Sequence, residues 1–358
     1  MNKTKNIYLF IIASLLFVII ACDKIDDFGE VTPEGPDYKP GKGVFVINEG
    51  NFGNGNGSIS FINDDESEVY NDIFFHATDR PLGDVPLSMT NMGDSGWIVV
   101  NNSGKIEVVD LYDMSSLATI SGLSSPRFVV PVSPDRVYVS DFVESKISII
   151  NTLDFSLEGK IELGCSSEQM LLANGKVFVA FWSNYGFSHL ENNQLKIIDI
   201  NTDQVVDSVE VGKEPNSMVL DKEGKLWVLC SGGFGSEEKP SLCCIDTENL
   251  EIISCLKFPD INSSPTSLCI NGAGDMLFFL NKGVFKFAIT AQELPVLPLI
   301  PEGEHLFYSL AIDPLTTEIF ATDAIDYQQR GLVLKYKPEG TFIGSFRAGV
   351  IPGMMVFR

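Results

Sequence analysis

The clearest copy of a repeating unit reads EQMLLANGKVFVAFW at residues 168–182 and NQLKIIDINTDQVVDSVEVGKEP at residues 193–215. Its short runs of β-branched and aromatic residues are separated by turns rich in Gly, Asn and Asp, which is the pattern of consecutive β-strands. The unit divides into a first strand, an Asn-Gly turn, a strongly apolar second strand, a third strand with an Ile-Asp-Thr type turn, and a fourth strand. The next copy begins at Asn216.

The third strand shows how often the unit recurs. Its copies are SISFIND (58–64), KIEVVDL (105–111), KISIINT (146–152), LKIIDINT (195–202), LCCIDT (242–247), VFKFAIT (284–290) and LVLKYKPEG (332–340). They follow one another at about 40 to 50 residues, the period of propeller blades. Because one four-stranded blade cannot bury both its faces, blades pack side by side around a channel. The sequence therefore predicts an all-β chain, a single seven-bladed β-propeller with four antiparallel strands per blade.

The strand count also predicts how the ring closes. The first unit starts at Val44 and has only three strands before residues 76–86, whereas GMMVFR at 353–358 follows the last unit as one extra strand. This strand matches the first strands of other units, such as SMT at 88–90 and SMV at 217–219. We therefore expect the C-terminal strand to complete the first blade, which removes an open sheet edge. The same count argues against an eight-bladed ring and against two sandwich domains.

The N-terminus has the pattern of an exported protein. Lys3 and Lys5 precede an almost wholly apolar stretch at residues 7–20, and a small residue stands directly before Cys22. A spanning helix needs about 20 apolar residues, so this shorter stretch predicts a signal peptide over residues 1–21. The end of that segment resembles the cleavage site of bacterial lipoproteins. We expect Cys22 to be acylated, with the lipid as the only contact with the membrane.

The region after Cys22 predicts a tether and then the propeller. Residues 22–42 are acidic, rich in proline and glycine and poor in apolar residues, so we expect a flexible tether there and assign residues 43–358 to the propeller. DDF at 26–28 looks like the acidic export signals of Bacteroidetes surface lipoproteins. We expect an outer-membrane lipoprotein that is exposed at the cell surface. The formal net charge of −23 argues against a nucleic-acid partner.

Cysteine and histidine do not form a metal-binding pattern. The cysteines after residue 42 show no regular spacing, and most lie within apolar strands, where a free cysteine behaves as a small core residue. These cysteines are Cys165, Cys230, Cys243, Cys244, Cys255 and Cys269. We expect core packing for most of them and leave disulfide pairing open. His76, His189 and His305 lie far apart in sequence, so no zinc site is predicted.

One face of the predicted propeller carries the irregular loops. The connections from second to third strands and those between blades emerge on the same face, which we call the loop face. Its long segments are 49–57, 76–86, 183–193, 231–240 and 323–330. Long loops gathered on one rim of a rigid scaffold usually carry function. We therefore expect the ligand site on the loop face.

Aromatic and amide side chains are frequent in and beside these loops. This composition suits a broad, partly flat and amphipathic ligand that needs stacking and many neutral hydrogen bonds. The candidate ligand-binding residues are Asn48, Glu49, Asn51, Phe52, Asn101, Phe142, Trp182, Asn184, Tyr185, Phe234 and Tyr327.

Catalytic motifs are weak in this chain. EGNFGNGNG at 49–57 is rich in glycine, but neither Gly-Lys-Ser/Thr nor a helix follows, so it is not a phosphate-binding loop. The sequence contains no Gly-x-Ser-x-Gly motif of a serine hydrolase. We assign no catalytic residue, no metal and no cofactor. A lactonase-like hydrolase that uses the rim acids Glu49, Asp141 and Asp323 stays open as an alternative.

The repeat resembles a known family of propellers. VEVGKEP at 209–215, with the strand and turn pattern before it, is similar to the YncE-like, surface-layer-type propeller repeats. VFVINEGNFGNGNGSISFI at 44–62, directly after the tether, resembles the opening blade of Bacteroidetes surface propeller lipoproteins, a group that includes cobalamin-capturing members. The resemblance covers the lipoprotein signal and the whole propeller.

The resemblance implies a non-enzymatic protein that captures a corrinoid on the loop face. The corrinoid, a broad ring fringed with amides, would then pass to a TonB-dependent outer-membrane transporter of the BtuB-like type. Only the segment 48–52 carries over from the shared opening. A glycan-binding or protein-docking surface module is one alternative, and a lactonase-like hydrolase is another.

Overall fold

Each copy of the repeat forms a four-stranded antiparallel sheet, and the described residues contain seven such sheets. The computed structural model describes Tyr38, residues 41–64 and residues 69–358. The predicted signal peptide, Cys22 and nearly all of the predicted tether lie outside the described residues. The prediction of a seven-bladed β-propeller with four antiparallel strands per blade is confirmed.

The strands follow the chain blade by blade. Those of the first four blades are β1 (Gly43–Asn48), β2 (Ser58–Asn63), β3 (Val69–Tyr70), β4 (Pro86–Met92), β5 (Ser95–Val100), β6 (Lys105–Asp110), β7 (Ser116–Ser121), β8 (Pro126–Ser133), β9 (Arg136–Asp141), β10 (Lys146–Asn151), β11 (Leu157–Glu162), β12 (Met170–Ala173), β13 (Lys176–Ala180), β14 (Gln194–Asp199) and β15 (Gln204–Glu210). Those that follow are β16 (Pro215–Leu220), β17 (Leu226–Cys230), β18 (Ser241–Ile245), β19 (Ile252–Lys257), β20 (Thr266–Ile270), β21 (Met276–Leu280), β22 (Gly283–Ala288), β23 (Ile300–Pro301), β24 (Phe307–Ile312), β25 (Ile319–Asp323), β26 (Arg330–Tyr336), β27 (Phe342–Val350) and β28 (Pro352–Phe357).

Burial differs between the strands of a blade in the way the sequence pattern predicts. Second strands such as β17 and β25 are buried along their whole length, which explains their continuous apolar sequences. Fourth strands such as β7 and β11 are mostly exposed and form the outer wall. The first strands line the central channel.

The hydrophobic core is divided among the interfaces between blades. In the described chain, seven apolar clusters each join two consecutive blades, so no blade has a core of its own. Trp97 of the second blade, for example, packs with Val137 of the third. The seventh cluster joins Val46 of the first blade to Val333 of the last. The seventh interface therefore buries its apolar surface only when the ring is closed.

The C-terminal strand completes the first blade, as predicted. β28 pairs with β1 antiparallel, with Val44 opposite Phe357 and Val46 opposite Met355. The sheet order is β28, β1, β2 and β3. Tyr38, which falls in the predicted tether, packs against the Phe61 ring at 5.1 Å and donates a hydrogen bond to the Leu111 carbonyl at 2.9 Å.

Side chains also join the first strands of neighbouring blades around the channel. Ser88 Oγ donates to the Arg127 carbonyl at 2.6 Å, and Asn216 Nδ2 donates to the Pro265 carbonyl at 2.8 Å. The Gln169 amide both donates to and accepts from the Met218 backbone, at 3.2 and 2.6 Å. These side-chain bonds connect neighbouring blades along the wall of the channel, although their first strands belong to separate sheets.

The cysteines give a mixed result. Among the described residues, Cys165, Cys230 and Cys244 are free and buried and Cys269 is free and half-buried, as expected for core cysteines. Cys243 and Cys255 instead form a disulfide, because they face each other directly in the register of β18 and β19 with Cα atoms 4.0 Å apart. Core packing is therefore confirmed for most of the cysteines but does not extend to Cys255, which lies on the largely exposed outer strand.

The described residues contain two short helical elements in the loops, neither of which the sequence predicts. Helix α1 (Ile73–Thr78) lies between β3 and β4 and buries Ile73 and Phe74 in the core of the first two blades. A 3₁₀ turn, Asn101–Ser103, follows β5. In the part of the chain that the structure describes, no helix is long and apolar enough to cross a membrane.

Candidate functional site

The loop face combines the long loops with the starts of the first strands. Because the strands alternate in direction, the connections β1–β2, β13–β14, β17–β18 and β25–β26 emerge on the same side as the connections between blades. Neighbouring loops contact each other there: Gly57 pairs with Gly83, and Asn51 Nδ2 donates to the Tyr327 carbonyl at 2.5 Å. The loop face is therefore a connected surface around the channel mouth.

Each blade places one residue near the start of its first strand at the channel mouth. These residues are Leu87, Arg127, Gln169, Asn216, Thr266, Tyr308 and Gly353. All of them except Arg127 line a cavity of about 450 Å³ that occupies the channel. Since first strands begin at the loop face, these residues lie at the end of the cavity that is nearest to the candidate ligand residues.

Glu49 stands at the edge of this cavity. It follows β1 directly, and both of its carboxylate oxygens lie 3.0 Å from the hydroxyl of Tyr308 in β24. A Cβ atom at position 353 would lie 2.9 Å from Glu49 Oε1, so glycine there leaves room for the carboxylate. The Tyr327 ring packs edge-on against the Tyr308 ring, with centroids 5.9 Å apart. Glu49 is thus the predicted site residue that faces the channel.

A buried ion pair lies across the mouth from Glu49. Arg127 Nε and Nη2 each lie 2.7 Å from a carboxylate oxygen of Glu168, which makes the pair bidentate. The side chains of Arg127 and Glu168 are only 16% and 9% exposed, so the two charges face each other in a largely dry setting. The pair connects the start of β8 to the residue two before β12.

Three aromatic side chains form what we call the aromatic shelf: Phe142, Trp182 and Tyr185. Phe142 stacks on Tyr185 with centroids 5.8 Å apart, and its ring lies 6.0 Å from that of Trp182. The guanidinium of Arg127 lies 5.5 Å from the Phe142 centroid and 6.0 Å from the Trp182 centroid, within the range of cation–π attraction. Tyr185 is 69% exposed, so the shelf is open to solvent beside the channel mouth.

Burial raises the pKa of Glu49 to about 6, and the negative charge of Glu168 adds to the rise. The hydrogen bond from Tyr308 and the positive charge of Arg127 act in the opposite direction. Burial also raises the pKa of the Tyr308 hydroxyl, with the Glu49 charge adding to it. A carboxylate whose pKa is raised by a desolvated environment is typical of binding and catalytic sites.

We expect Glu49→Gln to stabilise the protein near neutral pH. Since the folded pKa lies above the ordinary value of 4.5, ionisation of Glu49 opposes folding as pH rises through about 6, and below about 4.5 this penalty is absent. The displacement from 4.5 to about 6 corresponds to roughly 2 kcal/mol. Urea unfolding at about pH 7.5 and pH 4 should show a gain of that size only at the higher pH.

Glu191→Gln is the matched control for this measurement. Glu191 also lies on the loop face, but its side chain is 69% exposed, so the same chemical change should leave the unfolding free energy nearly unchanged at both pH values. Two results would contradict the conclusion that ionisation of Glu49 opposes folding. One is an equal gain in stability from Glu49→Gln at both pH values, and the other is a loss of stability at about pH 7.5.

Four other predicted residues lie on the loop face. Phe52 and Phe234 are 78% and 92% exposed, and Tyr327 is 41% exposed. Asn51 joins the loops of the first and last blades through its bond to Tyr327. The structure places Phe52 and Tyr327 on the opposite side of the ring from the aromatic shelf, in the first and seventh blades.

Three predicted amides serve the scaffold. Asn48 is fully buried and bonds to Ser60 Oγ at 2.9 Å and to the Gly349 N–H at 2.9 Å, which joins the first and last blades. Asn101 Nδ2 donates to the Pro126 carbonyl at 2.9 Å. The Asn184 side chain donates to the carbonyl of Leu190 within its own loop. Their polar groups are engaged by the protein itself.

The two other rim acids of the hydrolase alternative also have structural partners. Asp141 is buried and accepts hydrogen bonds from the backbone N–H groups of Ser125, Val143 and Glu144 at 2.8–2.9 Å. Asp323 is buried and lies 2.7 Å from His305 Nδ1. Among the described residues, no group of three or more His, Cys, Asp or Glu could hold a metal ion.

Comparison with known sequences gives the family. The family described as Domain of unknown function (DUF5074) matches residues 42–337. The chain belongs to the DUF5074 family. The match begins one residue before β1 and ends one residue after β26, so it includes Glu49, Arg127, Glu168 and Tyr308. No curated protein sequence matches the chain.

Solved structures similar to this DUF5074 chain share its fold at low sequence identity. A quinonprotein alcohol dehydrogenase-like protein from Bacteroides thetaiotaomicron has a TM-score of 0.66 and 13% identity, over 88% of this chain and 78% of that chain. A functionally unknown protein from Desulfotomaculum acetoxidans has a TM-score of 0.65 and 14% identity, over 89% and 99%. Hydrazine synthase from Kuenenia stuttgartiensis has a TM-score of 0.57 and 13% identity, over 75% and 88%. These likenesses show the fold alone.

The sequence prediction for this DUF5074 chain missed Arg127, Glu168 and Tyr308. The signal that could have found two of them is their place in the repeat. When the first strands are aligned, Arg127 and Tyr308 occupy the position that is Leu87 or Gly353 in other blades. A charged or phenolic side chain is unusual at this position, which faces the channel. Glu168 stands where most blades have proline, as in Pro126.

Proposed function

We propose that this DUF5074 protein is a non-enzymatic binding protein that captures a corrinoid on its loop face. The observation that supports this most is the solvent-open aromatic shelf directly beside a polar channel mouth. A broad ring fringed with amides can stack on the shelf through its flat part. Its polar edge can then reach the acceptors and donors at the mouth.

The size of the channel cavity supports binding across the face. At about 450 Å³ the cavity lies at the lower end of the range of small-molecule pockets. A corrinoid is too broad to enter such a channel whole, whereas one of its side arms fits. Phe52, Tyr327 and Phe234 add exposed aromatic surface at other points of the rim. In this arrangement the macrocycle covers the mouth and contacts several blades.

We further propose that the protein is an outer-membrane lipoprotein, anchored through Cys22 and exposed at the cell surface. Two observations support this location. β1 starts at the face opposite the loop face, so an anchor that precedes Gly43 would join the propeller away from the candidate ligand residues. The Cys243–Cys255 disulfide fits an oxidising compartment. The recipient of the ligand would be a TonB-dependent transporter of the BtuB-like type.

The test is isothermal titration of cyanocobalamin into the chain without residues 1–22. We expect tight one-to-one binding, and a loss of roughly tenfold or more in affinity for each of Trp182→Ala and Tyr185→Ala, because each removes stacking surface from the shelf. Tyr112→Ala is the matched control, since Tyr112 is an equally exposed aromatic residue (65%) in a turn on the opposite face. Its affinity should equal that of the unaltered protein.

The same variants separate this function from its alternatives. No heat and no spectral change with cyanocobalamin at micromolar protein would overturn the corrinoid proposal. Glycan binding that Trp182→Ala and Tyr185→Ala abolish would favour a glycan-binding module on the same shelf. Metal-dependent lactone hydrolysis that Glu49→Gln abolishes would favour the hydrolase.

A further inference from the structure

The carboxylate of Glu49 has acceptor capacity that the protein leaves free. Its two oxygens share a single hydroxyl, that of Tyr308, which has only one proton to donate. No second side-chain donor to Glu49 occurs among the described residues. A carboxylate accepts several hydrogen bonds when it is fully paired. One of the two oxygens is therefore available to a group that enters the channel mouth.

The charged and amide groups that neighbour Glu49 are already engaged. Arg127, the positive charge that faces Glu49, is held by Glu168 in a bidentate pair. The amides of Gln169 and Asn216, which line the same cavity, bond to the backbone of the next blade. Tyr308 and, behind it, Tyr327 complete the set of titratable groups around Glu49. Glu49 is thus the charged acceptor that the described part of the mouth offers to a ligand.

We infer that the channel mouth receives an N–H donor arm of the ligand, a primary amide, and that Glu49 accepts its hydrogen bond. This inference rests on the proposed corrinoid function and adds the recognition of one peripheral amide. An N–H group supplies the donor that the carboxylate lacks. A carboxylic acid at the same place supplies no donor when ionised and brings a further negative charge close to Glu49 and Glu168. Glu49 therefore selects amide over acid at one position of the ring.

The electrostatic setting makes this selection strong. Like charges in a partly desolvated site repel far more than they do in water. Since the pKa of Glu49 is about 6, the repulsion between its carboxylate and an acid on the ligand is present above that pH and weakens below it. Protonated Glu49 can instead donate a hydrogen bond to the acid. Tyr308→Phe removes a hydrogen bond that lowers the pKa of Glu49, so this pKa should rise. The repulsion should then begin to weaken at a higher pH than in the unaltered protein.

The experiment compares cyanocobalamin with derivatives in which one peripheral amide has been hydrolysed to the acid. At about pH 7.5 we expect one derivative to bind at least roughly tenfold more weakly than cyanocobalamin, and the others to bind nearly as well. In Glu49→Gln this discrimination should vanish, while cyanocobalamin binding changes only a few-fold because the glutamine oxygen still accepts. Glu191→Gln should keep the discrimination.

The outcomes distinguish this inference from the function on which it rests. Failure of the unaltered protein to bind cyanocobalamin overturns the corrinoid proposal. Binding of cyanocobalamin and of every acid derivative with equal affinity overturns the role of Glu49 alone, as does discrimination that survives in Glu49→Gln. The role of Glu49 is also overturned if Tyr308→Phe does not shift the pH at which the acid derivative begins to bind more tightly. This result does not depend on whether Glu49→Gln folds.

Discussion

A chain that ends at Pro352 is expected to lose the propeller fold at ordinary temperature. Removal of residues 353–358 takes away nearly all of β28, which pairs with β1 and covers Val44 and Val46. The loss reaches beyond one strand, because the first blade then contributes incomplete surfaces to the interfaces on both of its sides. We expect a loss on the order of 5 kcal/mol or more, comparable with the whole stability of many domains.

Circular dichroism, urea unfolding and gel filtration of the truncated chain measure this effect. The matched control is deletion of Arg358 alone, which removes the bond from its N–H to the Gly43 carbonyl and its contact with Leu111 but keeps β28. That change should shift the midpoint only slightly. A peptide of residues 351–358 added in trans should restore part of the structure. An unchanged urea midpoint in the truncated chain would mean that the ring is stable without closure.

The fold could be predicted from the sequence because its information is local and repeated. Each blade repeats the same strand order, so a weak copy such as VFKFAIT at 284–290 is supported by its stronger neighbours. Closure followed from counting strands, since GMMVFR had no other place in the pattern. Helix α1 escaped prediction because six residues are too few to show a helical period.

The site was only partly predictable because it depends on which way neighbouring side chains point. Asn48 and Glu49 are adjacent, yet the first is buried between blades and the second faces the channel. Asp141 looked like a rim acid but lies in a turn whose N–H groups surround it. Strand alternation decides such cases, and a one-residue error in the register reverses the answer.

Pairs between strands were harder to predict than single residues. Cys243 and Cys255 bond because β18 and β19 bring them opposite each other, while the adjacent Cys244 points to the other face and stays free. Arg127 and Glu168 come together from neighbouring blades, 41 residues apart in sequence. In both cases the partner is fixed by tertiary register, which the repeat alone does not provide.

Arg127→Ala is expected to destabilise the protein strongly, by about 3–5 kcal/mol, because it leaves the buried carboxylate of Glu168 without its partner. It also removes the cation from beneath the aromatic shelf. Lys160→Ala is the matched control, since Lys160 and its partner Glu162 form an ion pair with side chains 62% and 66% exposed, which contributes at most about 1 kcal/mol. Urea unfolding of both variants gives the comparison.

The double variant Arg127→Leu with Glu168→Leu shows why the pair is there. Replacement of both buried charges by apolar side chains is often neutral or stabilising, so most of the stability lost in Arg127→Ala should return. Cyanocobalamin binding should not return, because the shelf lacks its cation and Glu49 lacks the positive charge of Arg127. A double variant as unstable as Arg127→Ala would instead assign the pair to blade packing. Recovery of stability without binding would mean that the buried pair serves the ligand site rather than the fold.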